Sequence, residues 1–198
     1  MIKSLPGADM KTDAIVRLDR RAWTYDDLRE MPETMDRYEI IDGTLYMSPS
    51  ANVWRHQRAL SRLHIAFAAW LDAHDWGEAY FAPADVVMTP DKAVQPDLFV
   101  VAKERLHIVD AYVDGVPDLI VEVVSPSSVT YDRKTKYNLY EEVGVREYWI
   151  VDPEAHTIDV FVRREGRFDL LDTFGTGDTA ASVLLDGFSV AVDEIIPE

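Results

Sequence analysis

Cysteine is absent from this chain of 198 residues, and its absence removes two kinds of site at once. The protein forms no disulfide bonds, and it cannot hold a metal ion through thiolate ligands. A composition without cysteine also suits the reducing interior of a cell.

Long hydrophobic stretches are missing as well. The longest apolar run, residues 65–71, is far shorter than the roughly 20 residues that a membrane-spanning helix needs. The first residues, MIKSLPGADMKTDAIV, have neither the basic start nor the apolar stretch of a signal peptide. We therefore expect an intracellular, cytoplasmic protein with no membrane partner.

Basic residues are scarce. Lysine and arginine number 20 against 36 aspartates and glutamates, so the formal net charge is -16. Proteins that bind nucleic acid usually present a basic face, because phosphate neutralisation supplies much of their affinity. No basic run occurs in the chain. The charge therefore argues against a nucleic-acid partner and favours a binding or scaffold role.

What is present is typical of a globular protein. The chain is 47% hydrophobic and 28% charged, and it is long enough to bury a sizeable core without disulfides or structural metals. Residues 1–21 show no clear hydrophobic period and are interpreted as an N-terminal tail. Residues 22–198 are predicted to form a single domain.

Local patterns in the first half predict two helices and a hairpin. A short helix is predicted over residues 24–31, with Thr24 as its cap. The Asp42-Gly43 pair lies between alternating apolar residues, which predicts a hairpin with strands at residues 37–41 and 44–48. A long helix then runs to about residue 74, because apolar residues recur at helical spacing at Leu60, Leu63, Phe67 and Trp70.

The second half is richer in strands. A helix over residues 131–143 is predicted to end at Gly144, and Glu165-Gly166 marks a hairpin turn. Strands are predicted in REYWIVDP and at residues 78–82, 84–88, 96–101 and 118–125. This order indicates a mixed α/β or α+β fold with one central mixed sheet flanked by helices.

Two acidic residues lie within apolar strands. Asp97 starts a strand directly after a proline, and a turn residue would look the same. Glu122 has apolar neighbours on both sides in DLIVEVVS, so its strand is predicted to be covered on both faces. A buried glutamate is costly unless it is paired, protonated or bound to a metal ion. An ion pair with an arginine and a metal site are equally consistent with Glu122 alone.

Considered together, the two carboxylates indicate metal chemistry. Adjacent strands lie roughly 4.8 Å apart, so Asp97 and Glu122 can share one cation if their strands are neighbours. Oxygen ligands suit Mg²⁺ or Mn²⁺, and such an ion favours hydrolysis of phosphoesters.

This chemistry also uses a cationic side chain. Val124 lies on the same face of the strand as Glu122, but it is not a lysine. Lys136 on the following helix is the nearest substitute, and it shares one helix face with Asp132 and Tyr140. An exposed ion pair of Asp132 with Lys136 would produce the same spacing.

Six sequence pieces occur in a fixed order along the chain. They are RYEIIDG, a histidine early in the long helix, QPDLFVV, VEVVSPSS, a D-x-x-x-K-x-x-x-Y pattern and GVREYWIVDP. With these pieces in this order the chain closely resembles the Uma2 family, a bacterial group of restriction-endonuclease-like proteins in the PD-(D/E)XK superfamily. The resemblance covers about residues 23–194.

The resemblance implies a restriction-endonuclease-like fold and a role for each of several residues. Asp97 and Glu122 are the implied catalytic and metal-binding acids, and Lys136 is the implied catalytic lysine, moved from the position of Val124. Glu39 matches an additional metal ligand, although a cross-strand ion pair would also place it there. His56 could lie near the metal or contact phosphate, although a hydrogen-bonded histidine packed at a helix start is the commoner case. Tyr140 is assigned to packing beside Lys136, and Gln95 could donate to a phosphate or simply be exposed.

Two functions follow from these observations. The first is a homodimeric, Mg²⁺- or Mn²⁺-dependent endonuclease that hydrolyses phosphodiester bonds in DNA. The second is a non-catalytic dimeric binding or scaffold protein that keeps the nuclease fold, which the acidic charge and Val124 favour.

Overall fold

The N-terminal part of the fold is built from one strand and one short helix. The computed structural model describes residues 15–18, 22–31, 36–48, 54–126 and 128–197. Most of the predicted tail, residues 1–21, lies outside these ranges. The described part of that tail contains a strand, β1 (Val16–Leu18). Helix α1 (Tyr25–Arg29) follows, and the Asp27 carboxylate accepts hydrogen bonds of 2.9 Å from both the backbone N–H and the hydroxyl of Thr24. The predicted cap at Thr24 is confirmed.

The predicted hairpin forms between β2 (Arg37–Ile41) and β3 (Thr44–Ser48). Asp42 and Gly43 both have positive φ angles, 51° and 69°, as a two-residue hairpin turn of this hand requires. Strand β1 adds to the outer edge of β3 in antiparallel register. The turn chemistry thus fixes which residues of β2 face inward.

One long helix and eleven further strands follow the hairpin. Helix α2 (Trp54–His74) is confirmed, and it buries Leu60, Leu63 and Phe67. The strands are β4 (Gly77–Phe81), β5 (Val86–Thr89), β6 (Lys92–Val94), β7 (Leu98–Ala102), β8 (Val113–Asp114), β9 (Leu119–Val123), β10 (Glu147–Asp152), β11 (Thr157–Arg164), β12 (Arg167–Phe174), β13 (Thr179–Ala181) and β14 (Ser189–Ala191).

Short helical segments connect these strands. A 3₁₀ helix spans Lys103–Ile108, and the short helix α4 spans Val192–Ile195. The helix predicted over residues 131–143 consists of a π-helical turn, Tyr131–Lys136, continuous with α3 (Tyr137–Val143). It ends as predicted at Gly144, whose φ of 93° lies in the left-handed region.

The strands divide between two large sheets, so the mixed α+β class is confirmed but the sheet is not a single one. One six-stranded sheet has the order β1-β3-β2-β6-β5-β8, and the other has the order β12-β11-β10-β9-β7-β4. Strands β13 and β14 form a separate pair. The first sheet exists because the N-terminal hairpin pairs with β6 through Ile40 and Ala93. Strands as short as β6 leave no readable period in the sequence.

The sheet that contains β9 is the centre of the molecule. Helix α2 and the β13–β14 pair cover one of its faces. The other face packs against α3 and residues of the first sheet, including Val86 and Val94. Every residue of β9 is buried, which confirms that this strand is covered on both faces.

No helix in the described ranges combines the length and the apolar character that a bilayer crossing needs. The cytoplasmic location stays a prediction. The division into a tail at residues 1–21 and a domain at residues 22–198 also stays a prediction.

Candidate active site

Asp97 and Glu122 meet at one end of the central sheet. Strands β7 and β9 are antiparallel with Leu98 opposite Val121, so Asp97, the residue before β7, comes opposite Glu122. The backbone nitrogen of Asp97 lies 3.4 Å from Oε2 of Glu122. Both side chains are almost closed to solvent, with 3% and 1% of their residue surface exposed. The predicted pair of carboxylates is therefore adjacent in space.

Asp97 is surrounded by hydrogen-bond donors. Both terminal nitrogens of Arg37 lie 3.2 Å from Oδ1, and Nε2 of His56 lies 3.0 Å from Oδ2. The backbone N–H of Val123 also donates to Oδ2, at 2.9 Å. Burial opposes ionisation, but the bond to His56 and the positive charges of Arg37 and Lys136 hold the pKa of Asp97 well below its usual range. The surroundings of Asp97 therefore favour its ionised form.

Glu122 has two donors on one oxygen. Nζ of Lys136 lies 2.9 Å from Oε1, and the Tyr140 hydroxyl donates to the same oxygen at 2.7 Å. Burial raises the pKa of Glu122 to about 8, and the nearby negative charge of Asp97 acts in the same direction. The neighbouring carboxylates thus differ sharply in how readily they ionise.

Lys136 joins Glu122 to Glu39. Its Nζ lies 3.0 Å from Oε1 of Glu39, and the Asp132 carboxylate is further away at 3.9 Å. Burial disfavours the charged ammonium, but Glu122 and Glu39 raise its pKa above the ordinary lysine value. With 2% of its surface exposed, Lys136 is a buried bridge between the two sheets and does not form an exposed surface pair.

The other residues singled out in the sequence divide into two groups. His56 is buried at the start of α2 and contacts Asp97 directly, while its Nδ1 has no hydrogen-bond partner among the described residues. Gln95 contacts the cluster through its backbone N–H, which donates to Glu39 at 2.9 Å. The amide of its side chain instead donates to Asp85 at 2.8 Å, outside the group of carboxylates.

Arg37 is the member of the cluster that sequence reasoning missed. It lies two residues before Glu39 on β2, so both side chains project from the same face of the strand. That alternation was a usable signal once Glu39 had been singled out. The alternation along β2 could not identify Asp97 as the partner of Arg37, because these two residues lie 60 positions apart in the sequence.

The charge of the cluster suits a divalent cation. Among the described residues, no group of three or more histidine or acidic side chains is arranged to hold an ion as it stands. Lys136 lies between Glu39 and Glu122, and Arg37 caps Asp97. Four buried acidic side chains surround these two cations: Glu39, Asp97, Glu122 and Asp132. The oxygen donors of Asp97 and Glu122 are of the kind that Mg²⁺ or Mn²⁺ prefers.

The chain is similar to known proteins along most of its length. The sequence model of the Uma2 family, described as "Putative restriction endonuclease", matches residues 25–193. An uncharacterized protein of Synechocystis sp. (strain PCC 6803) is 26% identical over 164 residues, which covers 81% of this chain and 83% of that protein.

A solved structure from Anabaena variabilis shares the fold. It is described as a "putative nuclease belonging to DUF820", and it superposes with a TM-score of 0.71 at 16% sequence identity. The match covers 87% of this chain and 97% of the Anabaena chain.

Proposed function

This chain belongs to the Uma2 family, and from that premise we propose that it is a metal-dependent endonuclease that hydrolyses phosphodiester bonds in DNA. The observation that carries the proposal is that Asp97 and Glu122 are adjacent where the antiparallel strands β7 and β9 pair. Lys136 is bonded to the Glu122 carboxylate. Two buried carboxylates with a fixed ammonium group provide both an ion site and a cationic side chain for phosphate chemistry.

Asp97 and Glu122 are the residues that would hold a divalent ion, Mg²⁺ or Mn²⁺. Such an ion supplies Lewis acidity, which makes an attacking water more acidic and offsets the charge of the phosphate. His56 keeps Asp97 oriented through its Nε2, and Tyr140 keeps the Glu122 carboxylate in place. These bonds fix both acids before any ion or substrate arrives.

Lys136 has the role of the cationic catalytic residue in this proposal. Its ammonium group is fixed between Glu122 and Glu39, so it cannot swing into solvent. From that position it orients the attacking water and offsets the negative charge that develops on the phosphate. Glu39 is assigned to holding Lys136, because its Oε1 is already bonded to that lysine.

DNA as substrate and a homodimeric state complete the proposal. Cutting both strands of a duplex commonly uses two sites, which a symmetric dimer provides. Since the formal net charge is -16, binding depends on local cations near the site and on the ion itself. Size-exclusion chromatography with light scattering tests the dimer directly.

The decisive experiment is cleavage of supercoiled plasmid DNA in Mn²⁺, with and without EDTA. We expect nicking or linearisation that EDTA abolishes. The variants Asp97→Asn and Glu122→Gln keep the shape of each side chain, and each is expected to lose about 10²-fold or more of the activity because one charged group of a preorganised site is lost.

Glu154→Gln is the matched control for the loss of one negative charge. Glu154 is exposed and pairs with the exposed Arg55, so this variant is expected to cleave like the wild type. Cleavage that survives in both site variants would refute the assignment. A folded wild-type protein that binds Mn²⁺ but cuts no DNA would favour the non-catalytic binding or scaffold function.

A further inference from the structure

The two permanent cations of the cluster differ in their access to solvent. The side chain of Lys136 is 2% exposed, whereas that of Arg37 is 20% exposed. A phosphate that approaches the carboxylates from solvent therefore meets the guanidinium group of Arg37 before it meets the ammonium group of Lys136.

Arg37 also forms an ion pair with Asp97, one of the two proposed metal ligands. Both of its terminal nitrogens lie 3.2 Å from the same oxygen of Asp97, Oδ1. An ion entering at Asp97 and the guanidinium of Arg37 would compete for that oxygen, since two positive charges repel each other at such distances. The other Asp97 oxygen stays bonded to His56 and to the backbone of Val123.

We propose that Arg37 is the phosphate-binding residue of the site: it occupies Asp97 when the ion is absent, and it transfers to an oxygen of the substrate phosphate when the ion binds. This inference rests on the proposed nuclease function. A guanidinium group presents paired N–H donors that match two oxygens of a carboxylate or of a phosphate equally well. The exchange therefore replaces one anionic partner by another, and Arg37 stays paired throughout.

The exchange makes two opposite predictions for one substitution. In Arg37→Gln, Mn²⁺ no longer has to displace a guanidinium group from Asp97. Mn²⁺ alone is therefore expected to bind at least about fivefold more tightly, which corresponds to the strength of a weak, partly exposed ion pair. The same variant lacks the phosphate contact. Inorganic phosphate, titrated in the presence of Mn²⁺, is therefore expected to bind about tenfold more weakly, and plasmid cleavage to fall about 10²-fold.

Isothermal titration calorimetry with Mn²⁺ and then with inorganic phosphate separates this role from a structural one. A residue that only positions Asp97 would lose Mn²⁺ affinity together with activity, and that result would overturn the proposal. Unchanged affinity for both ligands would overturn it too. Arg55→Gln is the matched control, because Arg55 is an exposed arginine paired with Glu154.

Arg37→Lys keeps the test decisive if Arg37→Gln does not fold. It retains the positive charge but loses the paired donors. We expect Mn²⁺ affinity within about twofold of the wild type, with phosphate affinity and cleavage still reduced, and wild-type phosphate affinity would contradict the proposal. Failure of the proposed nuclease function is distinguishable from failure of this inference. If the wild type cleaves no DNA but the Arg37 variants show the expected changes in Mn²⁺ and phosphate affinity, only the nuclease function is refuted.

Discussion

At the scale of single residues, Lys136 carries an ammonium group into a space almost closed to solvent. It is bonded to Glu122 and Glu39, and its Nζ lies 5.4 Å from the centre of the Tyr131 ring. Bringing such a charge out of water is costly, and the two carboxylates compensate for that cost. Removing the lysine would leave both carboxylates buried without their shared partner.

We therefore predict that Lys136→Met destabilises the protein strongly. Methionine has a similar length but no charge, so the expected loss in the free energy of unfolding is about 3–5 kcal/mol. Urea denaturation followed by circular dichroism measures this loss. Lys103→Met is the control, because Lys103 pairs with Asp75 at the surface, where ion pairs contribute about 0–1 kcal/mol. Equal losses in the two variants would contradict the assigned burial effect.

The sequence was most informative where local chemistry decides a residue's place. Asp97 and Glu122 stand out because an acid inside an apolar strand needs an explanation, and Lys136 was within reach of a helix-spacing argument. Arg37 could not be found in this way, because its contact with Asp97 depends on how the two sheets pack. The side chain of Gln95 turned to Asp85 for the same reason.

At the scale of elements, the π-helical turn Tyr131–Lys136 is the segment that carries Lys136 to the cluster. Single π-helical turns often occur at functional sites, since the wider turn changes which side chains face a neighbour. Arg133 anchors this turn from its other side. One of its nitrogens lies 2.5 Å from Asp159, and another lies 3.6 Å from Asp152.

Arg133→Gln is predicted to loosen this segment. The change leaves the nearly buried Asp159 with the Thr173 hydroxyl but without a cation, which we expect to cost about 1–3 kcal/mol of stability. Hydrogen exchange at the amides of residues 131–136 should accelerate more than exchange in β9.

Arg164→Gln is the control, because Arg164 is an exposed arginine on β11, the strand that also carries Asp159. Uniform acceleration across the protein, with no excess at the π-helical turn, would show that Arg133 does not anchor this turn in particular.

Elements whose ends carry their own signals were predicted well. Thr24, the Asp42-Gly43 pair and Gly144 mark boundaries that the structure confirms, because each residue supplies a cap or a positive φ on its own. The π-helical turn and the short strand β6 were not predicted. Both depend on tertiary contacts, and neither has a periodicity that differs enough from its surroundings to be read in sequence.

At the scale of the whole molecule, the net charge of -16 opposes the approach of DNA. Long-range repulsion between two polyanions is screened by salt, and the Debye length falls from about 30 Å at 0.01 M to about 8 Å at 0.15 M. Salt therefore reduces the repulsion between this protein and DNA. Most proteins that bind DNA instead lose affinity as salt increases, because salt weakens their contacts with phosphate.

The value of kcat/KM for plasmid cleavage is therefore predicted to rise as monovalent salt increases from about 0.01 to about 0.15 M at saturating Mn²⁺. The thermal unfolding midpoint over the same series is the control, since it reports any effect of salt on the fold itself. A steep fall in kcat/KM, with slope set by several phosphate contacts, would mean that a basic surface dominates binding.

The bridge that Lys136 makes between Glu39 and Glu122 also constrains how this protein can change over evolutionary time. A lineage released from selection for catalysis loses stability when it discards Lys136 alone, because Glu39 and Glu122 then stay buried without their shared cation. Exchanging acid and base together for apolar residues of similar volume avoids that cost. Descendants with a half-dismantled cluster should therefore be rare, and those that have lost the chemistry should have lost the whole set.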